Sequence, residues 1–283
     1  MKGKGDKTMK NFRKFSVLAL VLVLALGVLT ACGGSDSGSA DADKTITVAA
    51  SPTPHAEILN SAKDVLAEQG WTLVVKEFDD YVQPNVATTD GDVDANYFQH
   101  VPYLDQYNEE NGTDLVPVAN MHYEKMAAYS ETKKTFDEIA DGDKIGVPND
   151  ATNEARALKV LAEQGLITLK EGATETATKT DIVDNPHNIE IVELEAASIP
   201  AALPDLAYGV INANFALQAD IMDKVVAVEG TDQQQEDTYV NIIVVNGENA
   251  ESEKTQALVA ALQSDAVRSF IEETYNGVVV AKF

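Results

Sequence analysis

From Lys44 to Phe283 strand-patterned and helix-patterned runs alternate, and that alternation restricts the fold to the α/β class. KTITVAA (44–50) sets Ile46 and Val48 on one face of a strand. Thr53 is expected to cap the next helix, with Pro54 in its first turn. Ile58, Leu59, Ala62, Val65 and Leu66 then form one apolar face, and Gly70 ends it. WTLVVKEF (71–78) returns as a second strand, completing a βαβ unit whose strands should be parallel and whose crossover should be right-handed. Further strands are expected over DVDANYF (92–98), LVPVANM (115–121), KIGVPN (144–149), NIEIVEL (188–194), AYGVIN (207–212) and YVNIIVV (239–245), with helices in the intervals. A second strand-to-helix junction lies in VPNDATNEARALKVLAEQG (147–165), where Asn149, Asp150 and Thr152 offer capping oxygens, and it is expected to open a second lobe. SEKTQALVAALQS (252–264) and DAVRSFIEETYNG (265–277) read as two closing amphipathic helices.

The start of the chain fixes where this fold resides. Lys2, Lys4, Lys7, Lys10, Arg13 and Lys14 precede the apolar run SVLALVLVLALGVLTA (16–31), and Cys32 follows it. A basic start, a short apolar core and a small-residue end describe an export signal, and the run is short of the ~20 residues that a membrane span needs. Leu29-Thr30-Ala31-Cys32 resembles the lipobox of bacterial lipoproteins, in which the signal is cut before the cysteine and the thiol carries a diacylglyceryl group. Cys32 is the only cysteine of the 283 residues, so it has no internal disulfide partner, and acylation explains its position. Two or more acyl chains hold a protein firmly to a bilayer where one holds it marginally. GGSDSGSADAD (33–43) has no bulky apolar residue to bury and reads as a flexible leash. The expected organisation is therefore a signal over 1–31, a leash over 32–43 and a body of two lobes on the extracytoplasmic face of a cell membrane.

With 21 Lys and Arg against 46 Asp and Glu the chain carries a formal charge of −25, and loss of the basic signal makes it more acidic still. That charge disfavours nucleic acid as a partner. The catalytic inventory is empty. HAEIL (55–59) lacks the glutamate and second histidine of a zinc-protease helix, and no G-x-x-x-x-G-K-S/T or G-x-S-x-G motif occurs. His55, His100, His122 and His187 are never three or four residues apart, so no pair would share a helix face as metal ligands. No catalytic residue, metal or cofactor is expected.

Neutral polar and aromatic residues gather instead at strand ends, in DDYVQPN (79–85), DANYFQH (94–100), VPNDATNEAR (147–156), INANFA (211–216) and YVNIIVV (239–245). In open α/β sheets ligands sit beyond the carboxyl ends of strands. Amides that can satisfy an ammonium and a carboxylate, an arginine for the carboxylate and rings for an apolar chain suit a small zwitterion.

SPTPHAEIL (51–59), DYVQPN (80–85), DANYFQHVPYL (94–104), VPNDATN (147–153), NPHNIEIVELEA (185–196), INANFA (211–216) and YVNIIVV (239–245) resemble the signature stretches of the methionine-binding lipoproteins, the NlpA family. These are the substrate-binding components of methionine ABC importers. The resemblance runs from Cys32 to Phe283 and implies a two-lobed periplasmic-binding-protein fold of type II-like character, with the ligand in the interlobe cleft. It implies a first lobe of 44–126 with 239–283 and a second of 127–238. Carried over by motif, the ligand shell falls on Tyr81, Phe98, His100, Asn153, Arg156, Asn212 and Asn241, with Asn214 a weaker candidate. Arg156 is expected to pair with the ligand carboxylate, its removal leaving stability almost unchanged. Asn212 and Asn241 should bind the ligand's backbone polar groups, and Tyr81, Phe98 and His100 enclose its thioether. Tyr97, Tyr103, Tyr107 and Tyr123 are left structural. Lys125 and Ala127 depart from the proline and glycine expected there. The implied partners are L-methionine, an ABC permease with its ATPase, and the membrane through Cys32, with the receptor a monomer. A methionine-containing dipeptide or another apolar amino acid is the near alternative, and a structural or adhesive surface lipoprotein the distant one.

Overall fold

The computed structural model describes residues 44–230 and 232–283; the signal, the leash and Cys32 lie outside the described residues. Its strands are β1 (Thr45–Ala50), β2 (Thr72–Glu77), β3 (Ala95–His100), β4 (Leu115–Glu124), β5 (Ala127–Tyr129), β6 (Lys144–Pro148) and β7 (Thr168–Leu169). They continue as β8 (Ile182–Asp184), β9 (Glu190–Leu194), β10 (Tyr208–Ile211), β11 (Val225–Val228), β12 (Asn241–Asn246) and β13 (Val279–Ala281). β1 and β2 pair in parallel as the βαβ pattern requires, from Thr45 opposite Thr72 to Ala50 opposite Glu77.

Two large sheets organise two lobes. The first has the order β13-β4-β12-β3-β1-β2 and the second β11-β5-β10-β6-β9, while β7 and β8 form a small hairpin. The chain passes from the first sheet to the second after Glu124 and returns between β11 and β12. Separate apolar cores support the sheets. In the first lobe Ile46, Val48, Ile58, Leu59 and Leu66 pack with Ile243, Val267 and Ile271, the last two from the closing helix Asp265–Tyr275. In the second, Ile145, Val147, Leu158, Leu161, Tyr208 and Val210 pack together.

The first helical segment differs from its expectation. Thr53 is extended (φ −132°, ψ 139°) and caps nothing; the chain turns over Pro52–Ala56, then runs helical over Glu57–Ser61 and Lys63–Glu68 with an interruption at Ala62. The proline pair around Thr53 explains this, since a residue before proline is pushed out of the helical region. At the second junction Asp150 alone supplies the cap, accepting from the Asn153 N–H at 3.0 Å, and Ala151–Glu163 follows as a helix. The short β5, β7, β8, β11 and β13 fell within intervals expected to be helical or closing segments.

The second sheet meets the turn Ile199–Ala202 at closest range through Gly209. A Cβ there would lie 2.9 Å from Ile199 Cγ2 and 2.9 Å from Leu203 Cδ2, and Ile199 is fully buried with little room to yield. Overpacking of this kind costs about 1 to 3 kcal/mol. Gly209→Ala is therefore expected to lower the free energy of unfolding by that amount in chemical denaturation, and an unchanged midpoint would contradict the packing described.

Candidate functional site

The carboxyl ends of β3, β4, β6 and β10 all open on one cleft between the sheets, the position that open α/β folds favour for ligands. The cleft is nearly closed in this structure, and its wall includes Tyr81, Phe98, His100, Asn153, Arg156, Asn212 and Asn241. All seven residues carried over from the motifs thus come together. Gln99, Tyr103, Glu124, Ala213 and Asn214 complete the wall. β12 lies between β3 and β4, so Asn241 stands opposite His100 on one side and His122 on the other.

One end of the cleft is aromatic. Tyr81, Phe98 and Tyr103 form a three-ring group with centroids 5.8 to 5.9 Å apart, and Phe215 stacks on Tyr81 at 4.8 Å from the second lobe. Tyr103, expected to be structural, lines the cleft and donates its hydroxyl to the Tyr81 carbonyl at 2.9 Å. His100 meets this group through Tyr103, edge to face at 6.4 Å between centroids. Its Nδ1 accepts from the Tyr103 N–H at 3.3 Å, capping the helix Val101–Asn111, and its Nε2 faces Asn153 Oδ1 at 3.4 Å.

The other end is polar, and its amides are oriented by their partners. Asn153 Oδ1 accepts from Asn212 Nδ2 at 2.8 Å, which leaves Asn212 Oδ1 buried and unpartnered. Tyr81 donates to Asn214 Oδ1 at 2.6 Å, which leaves Asn214 Nδ2 in the same condition. His55 Nε2 lies 2.9 Å from Asn241 Oδ1 and must donate to it, so Asn241 Nδ2 is the amide's other face. Glu124 was absent from the sequence reading, yet it is the one carboxylate on the wall. Its Oε1 meets His122 Nε2 at 2.8 Å, and its Oε2 is buried without a hydrogen bond. A clue was available: His122 and Glu124 are two apart on a strand and so share a face.

Arg156, expected to pair with the ligand carboxylate, already has a carboxylate partner within the chain. Its Nε and Nη2 donate to Glu229 at 2.9 and 2.5 Å, and Nη2 also donates to the Glu124 carbonyl at 2.8 Å, while Nη1 takes no part in these bonds. Glu229 further accepts from the Tyr123 hydroxyl, the Met126 N–H and the Gln235 amide at 2.6 to 2.8 Å. Burial pushes the Glu229 carboxyl up, but Arg156 outweighs it and holds the group below the ordinary carboxylate range. Burial likewise pulls the guanidinium down, and Glu229 more than reverses that.

Burial pushes the Glu124 carboxyl above its ordinary range, opposed by His55, by Arg156 and by the Asn214 N–H, which lies near enough to draw it down without completing a hydrogen bond. His55, His122 and Glu124 bring their ligating atoms within 4.8 Å of one another, a meeting that sequence spacing did not reveal. Their hydrogen bonds define a relay: the Tyr97 hydroxyl donates to His122 Nδ1, which places the ring proton on Nε2, facing Glu124.

Residues 46–283 match the profile of the NlpA lipoprotein family. The chain belongs to that family. It is 41% identical to the methionine-binding lipoprotein MetQ of Bacillus subtilis, over 95% of this chain and 98% of the relative. Among solved structures it is similar to a lipoprotein from Ruminococcus gnavus (54% identity, TM-score 0.82, covering 85% of this chain and all of that one). It is also similar to a nutrient-binding protein from Burkholderia cenocepacia bound to methionine (37% identity, TM-score 0.79, covering 84% and 100%). The fold of this NlpA-family chain is therefore the two-lobed periplasmic-binding-protein type.

Two outcomes are expected from these charges. Removing one partner of a buried ion pair strands the other, at a cost of about 3 to 5 kcal/mol. Arg156→Ala should therefore destabilise the fold by that order in chemical denaturation, in place of the negligible effect expected from sequence; an unchanged unfolding midpoint would contradict the pairing. The histidines set acid sensitivity. Unfolded histidine takes a proton near pH ~6.5, whereas burial lowers His55 to about 4 and, with Arg156 assisting at His100, lowers His100 and His122 to about 3. Below pH ~6.5 the unfolded chain thus binds more protons than the folded one. Stability should fall with pH by up to ~1.4 kcal/mol per unit per histidine, down to pH ~4. The carboxyls of Glu124, Asp150 and Glu154, which burial raises, oppose this only toward the lower end of that range, where carboxylates begin to take up protons. Thermal unfolding should move steadily downward between pH ~6.5 and ~4; a flat or rising transition would show that these rings are not held neutral.

Proposed function

We propose that this chain is the solute receptor of an ABC importer, that it binds methionine in the interlobe cleft without turning it over, and that acylated Cys32 tethers it to the membrane. The observation that carries the reading is the set of unpartnered polar atoms on the cleft wall. Glu124 Oε2 and Asn212 Oδ1 are acceptors, Asn214 Nδ2 is a donor, and all three are buried. A buried polar group without a partner costs about 1 to 3 kcal/mol, so such atoms on a cleft wall mark where a ligand's polar groups belong. Acceptors suit an α-ammonium group. Asn214 Nδ2, Asn241 Nδ2 and the Arg156 guanidinium suit an α-carboxylate.

The ring group of Tyr81, Phe98 and Tyr103 suits the side chain, since a thioether sulfur beside an aromatic ring gains about 0.3 to 1.5 kcal/mol. Asn153 and His100 serve this site through Asn212 and the helix cap. The Bacillus subtilis relative is named for methionine binding and the Burkholderia cenocepacia neighbour holds methionine, which supports the same solute here. The lobes that close on it are 44–126 with 239–283 and 127–238, hinged at the two crossovers that Glu229 ties together. Delivery then requires a permease and its ATPase, which the receptor meets as a monomer.

The best small ligands gain about 1.5 kcal/mol per non-hydrogen atom, which caps methionine near ~13 kcal/mol, or roughly nanomolar affinity. Calorimetry against L-methionine, D-methionine, leucine and methionine dipeptides is expected to rank a methionine first, with one site per chain and the solute recovered intact. A clearly tighter non-methionine solute would overturn the solute while keeping the receptor.

A further inference from the structure

Three rings that do not line the cleft stand directly behind it. His55, Tyr97 and His122 are buried to 1% exposure or less and pack edge to face, with centroids 4.7, 4.9 and 5.4 Å apart. None touches the solute space, so an apolar cluster would serve the core equally well. Buried polar side chains carry a desolvation cost that only well-made hydrogen bonds offset, and here those bonds all run toward the cleft.

We propose that His122, with Tyr97 behind it, is a positioning residue for solute binding: it ties one oxygen of Glu124 so that the other is held in the cleft as the acceptor for the solute's α-ammonium group. The inference rests on the reading of the cleft as an amino-acid site. Its direction is fixed by chemistry. An ionised carboxylate can only accept, so the imidazole proton facing Glu124 is on Nε2, which leaves His122 Nδ1 an acceptor and the Tyr97 hydroxyl its donor. Glu124 Oε1 is thereby occupied at 2.8 Å, and Oε2 is left for a donor from the cleft. His55 orients the other end of the site from behind the wall. Its Nε2 is nearer Asn241 Oδ1 (2.9 Å) than Glu124 Oε1 (3.5 Å), so its single proton goes to Asn241 and holds that amide with Nδ2 outward. One ring therefore orients the acceptor for the ammonium and its neighbour a donor for the carboxylate, and the zwitterion is read before it arrives.

The test compares L-methionine with its deaminated analogue, 4-(methylthio)butanoate, measured by displacement on three proteins. These are the parent, His122→Leu with Tyr97→Phe, and His122→Gln with Tyr97→Phe, whose glutamine amide restores a donor near the Nε2 position without leaving a stranded hydroxyl. A hydrogen bond to a charged group is at stake, so the leucine variant should lose about tenfold or more in methionine affinity. Its affinity for the deaminated analogue should stay within about threefold, and the glutamine variant should recover the parent's preference. Equal losses for both ligands would make His122 a structural residue and overturn the proposal, as would unchanged methionine affinity. Should the leucine variant not fold, the folded glutamine variant decides: a lost preference for methionine over the analogue overturns the proposal, and a retained one supports it. A parent that binds the analogue as well as methionine would instead overturn the amino-acid reading of the cleft.

Discussion

The buried pair of Arg156 and Glu229 is the constraint on which the rest of this structure depends. Glu229 follows β11 in the returning crossover, yet it binds Tyr123 at the end of β4, the Met126 backbone in the outgoing crossover, Arg156 on the helix after β6, and Gln235. Two lobes joined by two strands of chain would otherwise be free to set their own angle. A fully hydrogen-bonded carboxylate, out of water on every side, instead registers both crossovers against one helix. A buried pair of this kind is weak evidence for net stability, because desolvation consumes much of the Coulombic gain. Its worth here is geometric, and it holds a cation on the wall of the cleft.

That cation accounts for much of the cleft's electrostatics. Arg156 opposes protonation of His100, and its Nη2 holds the Glu124 carbonyl. The carboxylate of Glu124 faces the same space, so opposite charges stand on one wall, as a zwitterion requires. Around them each amide has one end committed and one end open: Asn153 fixes Asn212, Tyr81 fixes Asn214, and His55 fixes Asn241. Preorganisation of this sort removes the entropic cost of ordering the wall when the solute enters. The unpartnered atoms are buried polar groups, and a matching donor or acceptor placed in the cleft would offset their desolvation cost.

The relation between sequence and structure follows from how far each signal reaches. Long strands such as β1, β2, β4 and β12 were legible because alternation, or in β12 a continuous apolar run, is a local property. β5 and β13 were not, since three residues carry no period, and they become strands only because β10 and β4 are there to pair with them. The break at Ala62 and the extended Thr53 were hidden behind a good apolar pattern, which records the face that is buried but not how the backbone presents it. Tyr103 was discounted although it lies in a quoted motif, because a tyrosine in the first turn of a helix gives no local sign of what it faces.

By itself the sequence determined the α/β class, the strand-end location of the cleft, the family and most of the side chains that line the cleft, all of which depend on periodicity, capping and motif order within short stretches of chain. Only the tertiary structure decided what those side chains do. Arg156 and Glu229 are 73 residues apart, Tyr97 and His122 are 25 apart, and His55 meets Asn241 across 186. No local pattern encodes such meetings. Whether an arginine is held for a ligand or already paired, and whether a buried carboxylate is satisfied or left open, depends on which groups the fold removes from water together, and that is settled only when the sheets have closed.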